Sequence, residues 1–198
     1  MDAVRFVRLA ALICLAAAAC AGSSHPTSKG GQSRFRSRTY EYVIDRPADW
    51  TVVEATRVLG DGEPPTTGGG GTDILARHAN TKVRDMTLPV MVVAGQRVAP
   101  ATTIDGWTST VISTVSFMKQ CAQPDSMEQV EVAGEPAVLL IYHDCPKGSG
   151  LFHLWTAVIH EGMGFHFVWF DKHGREAADR VSLDKMLSSV CFTTLLCA

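Results

Sequence analysis

Five histidines, His143, His153, His160, His166 and His173, gather in the C-terminal half of this chain. The run His160-Glu161 to His166 holds the residue types of a zinc-protease helix. That helix needs H-E-x-x-H, so that two imidazoles at i and i+4 share one face. Here Gly164 stands at i+4, the second histidine comes at i+6, and Gly162 and Gly164 make the stretch a β-turn rather than a helix. No metal and no cofactor is expected. On paired strands, His160 and His166 would face each other across a hairpin. Ser109, Ser113 or Ser116 with His143 and Asp144 supply the types of a nucleophilic triad, but the chain has no G-x-S-x-G elbow to present a serine. Residues 68–71 are four glycines without the Gly-Lys-Ser/Thr ending of a phosphate loop. No catalytic residue is assigned.

The cysteines point to a different chemistry. Cys14 lies in an apolar leader, and Cys20 closes it. Cys121, Cys145, Cys191 and Cys197 remain, with no C-x-x-C pair and irregular spacings, which argues against zinc. Four cysteines in an exported domain imply two disulfides, with three connectivities open. Cys121–Cys145 is favoured; it closes a loop worth about 3.5 kcal/mol in the chain-entropy account. Cys191–Cys197 is then the remaining pair. Six residues of strand span about 20 Å, so this bond requires a turn within residues 192–196.

Arg5 and Arg8 precede an apolar run over residues 9–19, 11 residues long. That is the length of a signal-peptide core and too short to cross a bilayer, which takes about 20 residues. The run ends Ala17-Ala18-Ala19-Cys20-Ala21-Gly22. It resembles the lipobox of bacterial lipoproteins, with Ala17 where such motifs prefer Leu. The resemblance implies a diacylglycerol on the Cys20 thiol, cleavage before Cys20 by a peptidase that accepts small side chains, and acylation (palmitate) of the freed amine. Two or more acyl chains anchor stably where one is marginal. The alternative is an ordinary signal peptide cut at an A-x-A site, with Cys20 incidental.

Residues 20–38 read as the lipidated cysteine and a flexible tether: Ser- and Gly-rich, poor in apolar residues, and basic through Lys29, Arg34, Arg36 and Arg38. The whole chain carries a net charge of −2; losing residues 1–19, with Arg5, Arg8 and Asp2, leaves −3. That balance offers no basic face for nucleic acid. Residues 39–198 suffice for one domain with a proper core.

Within that domain, residues 40–45, 51–59, 72–79 and 86–98 read as strands, and residues 60–71 as a loop with nothing to order it. Residues 102–121 carry Ile104, Trp107, Val111, Val115 and Met118 at helical spacing, with Thr102 and Asp105 as a capping box. Strands follow at 128–132 and 137–144, then a hairpin of 151–160 and 165–170 turning at Gly162, and a helix over 176–190. Hairpin connections dominate, so the fold expected is α+β: a mainly antiparallel sheet with two helices packed on it. Trp155, Phe165, Phe167, Trp169 and Phe170 crowd the hairpin, more aromatic residues than one buried face readily needs. Trp155, Phe167 and Trp169 are therefore candidates for an exposed apolar binding face, beside the 60–71 loop.

The segment 42–50 (YVIDRPADW) resembles the strand-Pro-x-x-Trp opening of PsbP-like domains. The step at 132–140 (VAGEPAVLL) resembles their entry into a central strand, and 186–192 (MLSSVCF) resembles their closing helix and ending. With the lipobox, the chain is similar to LpqN-type lipoproteins of high-GC Gram-positive bacteria. The resemblance implies a binding or assembly module, carries no catalytic residues, and spans residues 39–195. The expected function is a non-enzymatic, lipid-anchored module on the extracytoplasmic side of the cell membrane. Its partners would be the membrane, through Cys20, and an unknown envelope protein. A carrier of an apolar ligand and an envelope hydrolase are the alternatives. A closed apolar cavity would favour the carrier, and a filled interior the partner-binding module.

Overall fold

The computed structural model describes residues 31–65, 70–82, 85–119, 121, 123–192 and 197. In chain order its elements are β1 (Gln32–Arg36), β2 (Val43–Pro47), β3 (Thr51–Val53), β4 (Asp73–Ala76), β5 (Val90–Arg97) and α1 (Ile104–Lys119). Then come β6 (Ser126–Val132), β7 (Glu135–His143), β8 (Leu151–His160), β9 (Met163–Lys172) and α2 (Glu176–Leu187). Seven strands form one antiparallel sheet in the order β3-β4-β5-β9-β8-β7-β6, and β1 pairs with β2 in a separate two-stranded sheet. This is the α+β architecture the sequence pattern predicts.

Both faces of the large sheet are covered, which explains why β7, β8 and β9 read as nearly unbroken apolar runs rather than alternating ones. On one face, Trp107, Val111 and Val115 of α1 pack on Val138, Leu140, Trp155, Ala157 and Val168. On the other, α2 and the β1–β2 ribbon cover Leu139, Leu154, Phe165, Phe167 and Trp169 through Tyr42, Ile44, Leu183 and Met186. The ribbon is tied down by reciprocal backbone bonds between Val43 and Cys191, at 2.8 and 3.0 Å. The Tyr42 hydroxyl adds a bond to Asp73 at 2.9 Å.

α1 forms despite its Ser and Thr content because that apolar stripe is worth more than propensity. Its exposed hydroxyls bend back onto carbonyls one turn earlier, Ser109 to Asp105 and Ser113 to Ser109, each at 2.9 Å. The cap is Thr103, whose hydroxyl accepts the Gly106 N–H at 3.2 Å, rather than Thr102. The β8–β9 turn places Glu161 and Gly162 at φ 46° and 77°, the left-handed pair that suits strand twist.

Cys121 and Cys145 are joined with their Cα atoms 5.7 Å apart, and Cys191 and Cys197 at 5.9 Å. The turn the second bond requires falls partly on residues 193–196, outside the described residues. So do the leader, Cys20 and residues 21–30.

Three expectations need correction. Residues 32–36 are not tether but strand β1, in register with β2 from Gln32↔Pro47 to Arg36↔Val43. Phe35 supplies the reason: its ring packs edge-on against Tyr42, at 6.0 Å. The hairpin has no free aromatic face. Trp155, Phe167 and Trp169 are 1%, 0% and 2% exposed, because α1 covers the side that carries Trp155 and α2 with the ribbon the side that carries the other two. Finally, His160 and His166 do not face each other. His160 lies opposite Met163 and His166 opposite Ala157.

Candidate functional site

The 60–71 loop is less free than its composition suggests. Arg57 forms a two-pronged ion pair with Glu63, whose carboxyl is held down at about 2, chiefly by that hydrogen bond. Glu63 also accepts the Gly60 N–H at 3.0 Å. Leu59 bonds to Gly95 O at 3.2 Å and bridges to Gln96 of β5. At the far end, the buried Tyr40 hydroxyl donates to Gly71 O, and burial is the main force pushing that phenol up to about 12. The loop is thus fixed at both ends beside the last residues of β5.

Between that loop, the end of β5 and the start of α1 lies an open groove of about 430 Å³. Asp61 comes from the loop, Gln96 and Arg97 from β5, Val98 and Ala99 from the chain beyond it, and Thr102, Trp107 and Thr110 from the approach to α1 and its first turns. The Trp107 wall is rigid. Its indole N–H donates to Phe165 O at 3.1 Å. Its ring lies on Gly164, where a Cβ would come within 2.5 Å of it, so only glycine permits this seat. His166 sits below, 4.7 Å from the Trp107 ring. Burial drives its pKa down to about 3, so it stays neutral and offers no proton at ordinary pH.

Gln96 is the unusual member. It is 8% exposed and lines the groove. Arg97 and Asp61 also line the groove, and neither is in an ion pair among the described residues. Sequence reasoning missed Gln96 and Arg97. The signal was a glutamine following Gly95 at the end of a long apolar strand, a position where a core would take an aliphatic residue.

The other chemistry-bearing residues are dispersed. Ser109 and Ser113 spend their hydroxyls on helix carbonyls. His143 pairs with Asp125 at 3.1 Å, while Asp144 accepts the Gly148 and Gly150 N–H groups of its own loop. The His143 and His173 rings stack 5.9 Å apart, and His173 bonds Glu176 at 2.9 Å. His160 stacks on Phe192 at 4.5 Å and bonds Glu135 at 3.0 Å. His153 is buried edge-on against Phe170. Among the described residues, no three His, Cys, Asp or Glu side chains converge as metal ligands. Among them, too, no helix is long and apolar enough to cross a membrane.

Two helices on a mainly antiparallel sheet, joined in this order, make the fold PsbP-like. The solution structure of cyanobacterial PsbP (CyanoP) from Synechocystis sp. PCC 6803 superimposes with a TM-score of 0.56 at 14% identity, over 86% of this chain and 98% of that one. A crystal structure from Bacteroides thetaiotaomicron VPI-5482 matches at TM-score 0.49 and 11% identity, over 82% of this chain and 48% of that one. No family profile matches the chain, and no curated protein matches it.

Proposed function

We propose that this chain is a non-enzymatic binding module of the cell envelope, a lipoprotein of the LpqN type, anchored through lipid on Cys20. The observation that carries the binding role is the groove at the end of β5. There, the loop, the end of β5 and the start of α1 bring polar and apolar side chains together around a fixed Trp107 wall, while the potential nucleophiles and bases elsewhere are dispersed. The interior favours a binding module over a carrier of apolar ligands, because both sheet faces are filled by aromatic and aliphatic side chains. The anchor rests on the leader and the Ala19-Cys20-Ala21-Gly22 step. Cys20→Ser tests it by detergent partitioning and intact mass. The variant should leave the membrane fraction or remain uncleaved, while the wild type carries the mass of its acyl chains. An identical soluble mature form from both would overturn the anchoring.

A further inference from the structure

We propose that the start of α2 is a proton-operated latch: a proton held between Asp171 and Asp179 keeps its first turns on the sheet, and loss of that proton to solvent frees them. The buried residues of α2 are Asp179, Leu183, Met186 and Leu187. Its apolar hold on the sheet therefore begins at Leu183, and one carboxyl, 1% exposed, secures the turns before it. Arg175 stands at the cap position without a side-chain capping bond, which leaves the helix start weakly secured. Arg180 is turned away to Glu128 and Asp184, at 2.7 and 2.8 Å.

Asp179 faces a second acid. Asp171, at the end of β9, is 2% exposed, and one oxygen of each carboxyl has no hydrogen-bonding partner among the described residues. Like charges brought together out of water disfavour ionising both, so one proton on the pair removes the repulsion. The other Asp171 oxygen accepts the Lys172 N–H at 2.8 Å, and Arg175 Nε lies 3.5 Å from the unpartnered one. Asp171, Arg175 and the Trp169 indole are the groups that face Asp179; Glu176 is engaged by His173 at 2.9 Å and by the Gly174 N–H. With the proton, one negative charge meets one guanidinium; without it, two do. Burial first, and Asp171 second, hold the Asp179 pKa up at about 6, against an ordinary 3.8. A freed carboxyl regains the lower value, so the released state gains roughly a hundredfold in population as pH rises from 4 to 8. The departing turns take their cover from Trp169, 2% exposed and 5.6 Å from the Trp50 ring. Proton concentration thus sets how much of this aromatic wall the domain shows.

The test is hydrogen exchange on the full chain in detergent, read at single amides between pH 4.5 and pH 8 and divided by the intrinsic rate at each pH. Protection of the Asp179 N–H, which donates to Arg175 O at 2.9 Å, should fall at least thirtyfold across that range. The Cys191 N–H, bonded to Val43 O at 3.0 Å, reports opening of the whole domain. At pH 8 the Asp179 amide should be at least tenfold less protected than it, the mark of a local release. Asp179→Asn should flatten the profile. Arg175→Gln should move the fall to higher pH, because the cation that favours the ionised pair is gone. Should Asp179→Asn fail to fold, Arg175→Gln decides in its place, its side chain being 57% exposed. A flat wild-type profile, a fall that survives in Asp179→Asn, or an unmoved fall in Arg175→Gln would overturn the latch. Equal protection of the Asp179 and Cys191 amides at pH 8 would overturn it too, since the acid would then act only on the domain as a whole.

Discussion

The β8–β9 hairpin and the groove beside the 60–71 loop divide the protein's side chains in opposite ways. The hairpin holds the aromatic wealth and exposes almost none of it; Trp155, Phe167 and Trp169 are at most 2% accessible. The groove mixes the two kinds, with Asp61, Gln96, Thr102 and Thr110 beside Val98, Ala99 and Trp107. An excess of aromatic residues on adjacent strands therefore marked a sheet covered twice, not a docking face.

The largest effect that would sharpen this contrast comes from the hairpin. Trp169→Ala removes a ring that packs 5.6 Å from Trp50 and should cost about 3–5 kcal/mol, as for large core truncations. Chemical denaturation would measure it; a loss below about 1 kcal/mol would mean the ring is not core.

Next in size is a buried acid at the hairpin's end. Asp179 of α2 is 1% exposed. Burial first, and the neighbouring Asp171 second, push its pKa up to about 6, against an ordinary value of 3.8. A raised folded-state pKa favours the protonated, folded form. Its contribution to stability is full below about pH 4 and is lost as pH rises through about 6. Asp179→Asn should match the wild type near pH 4, exceed it at pH 8, and flatten the profile between. Thermal melts across pH 4–8 decide; parallel profiles would refute it.

The smallest effect is expected at the loop. Glu63→Gln removes the partner of Arg57 at the surface, so Tm should barely move, while the Gly60 N–H exchanges faster with solvent. A large fall in Tm would erase the distinction between the two regions.

Much of the fold was legible because local signals agreed with it. The 3.6-residue stripe of Trp107, Val111 and Val115 marked α1, the Gly162 turn marked the hairpin, and four cysteines without a C-x-x-C spacing led to the pairs Cys121–Cys145 and Cys191–Cys197. β1 was illegible because one phenylalanine among arginines carries no period; only Tyr42, placed by tertiary packing, makes Phe35 a strand residue. The hairpin's accessibility was misjudged because a sequence does not say whether a second layer covers a sheet. The groove was hidden because Asp61, Gln96 and Thr102 meet only through the bridge of Leu59 to Gln96 and the seating of Trp107 on Gly164.

The β1–β2 ribbon has a mechanical consequence. If the chain is held at Cys20, tension enters the domain at Gln32, at the open end of an antiparallel pair whose other exit is Pro47. Pulled there, the ribbon unzips: its rungs yield one at a time, from Gln32↔Pro47 toward Arg36↔Val43, instead of resisting together in shear. Each residue released lengthens the leash by about 3.4 Å. The next clasp is the pair of backbone bonds between Val43 and Cys191, which fastens the ribbon to the segment following α2. A load on the anchor is thus taken up by a yielding first segment, a shock absorber in series with the stiff body, before it reaches the sheet that carries the groove.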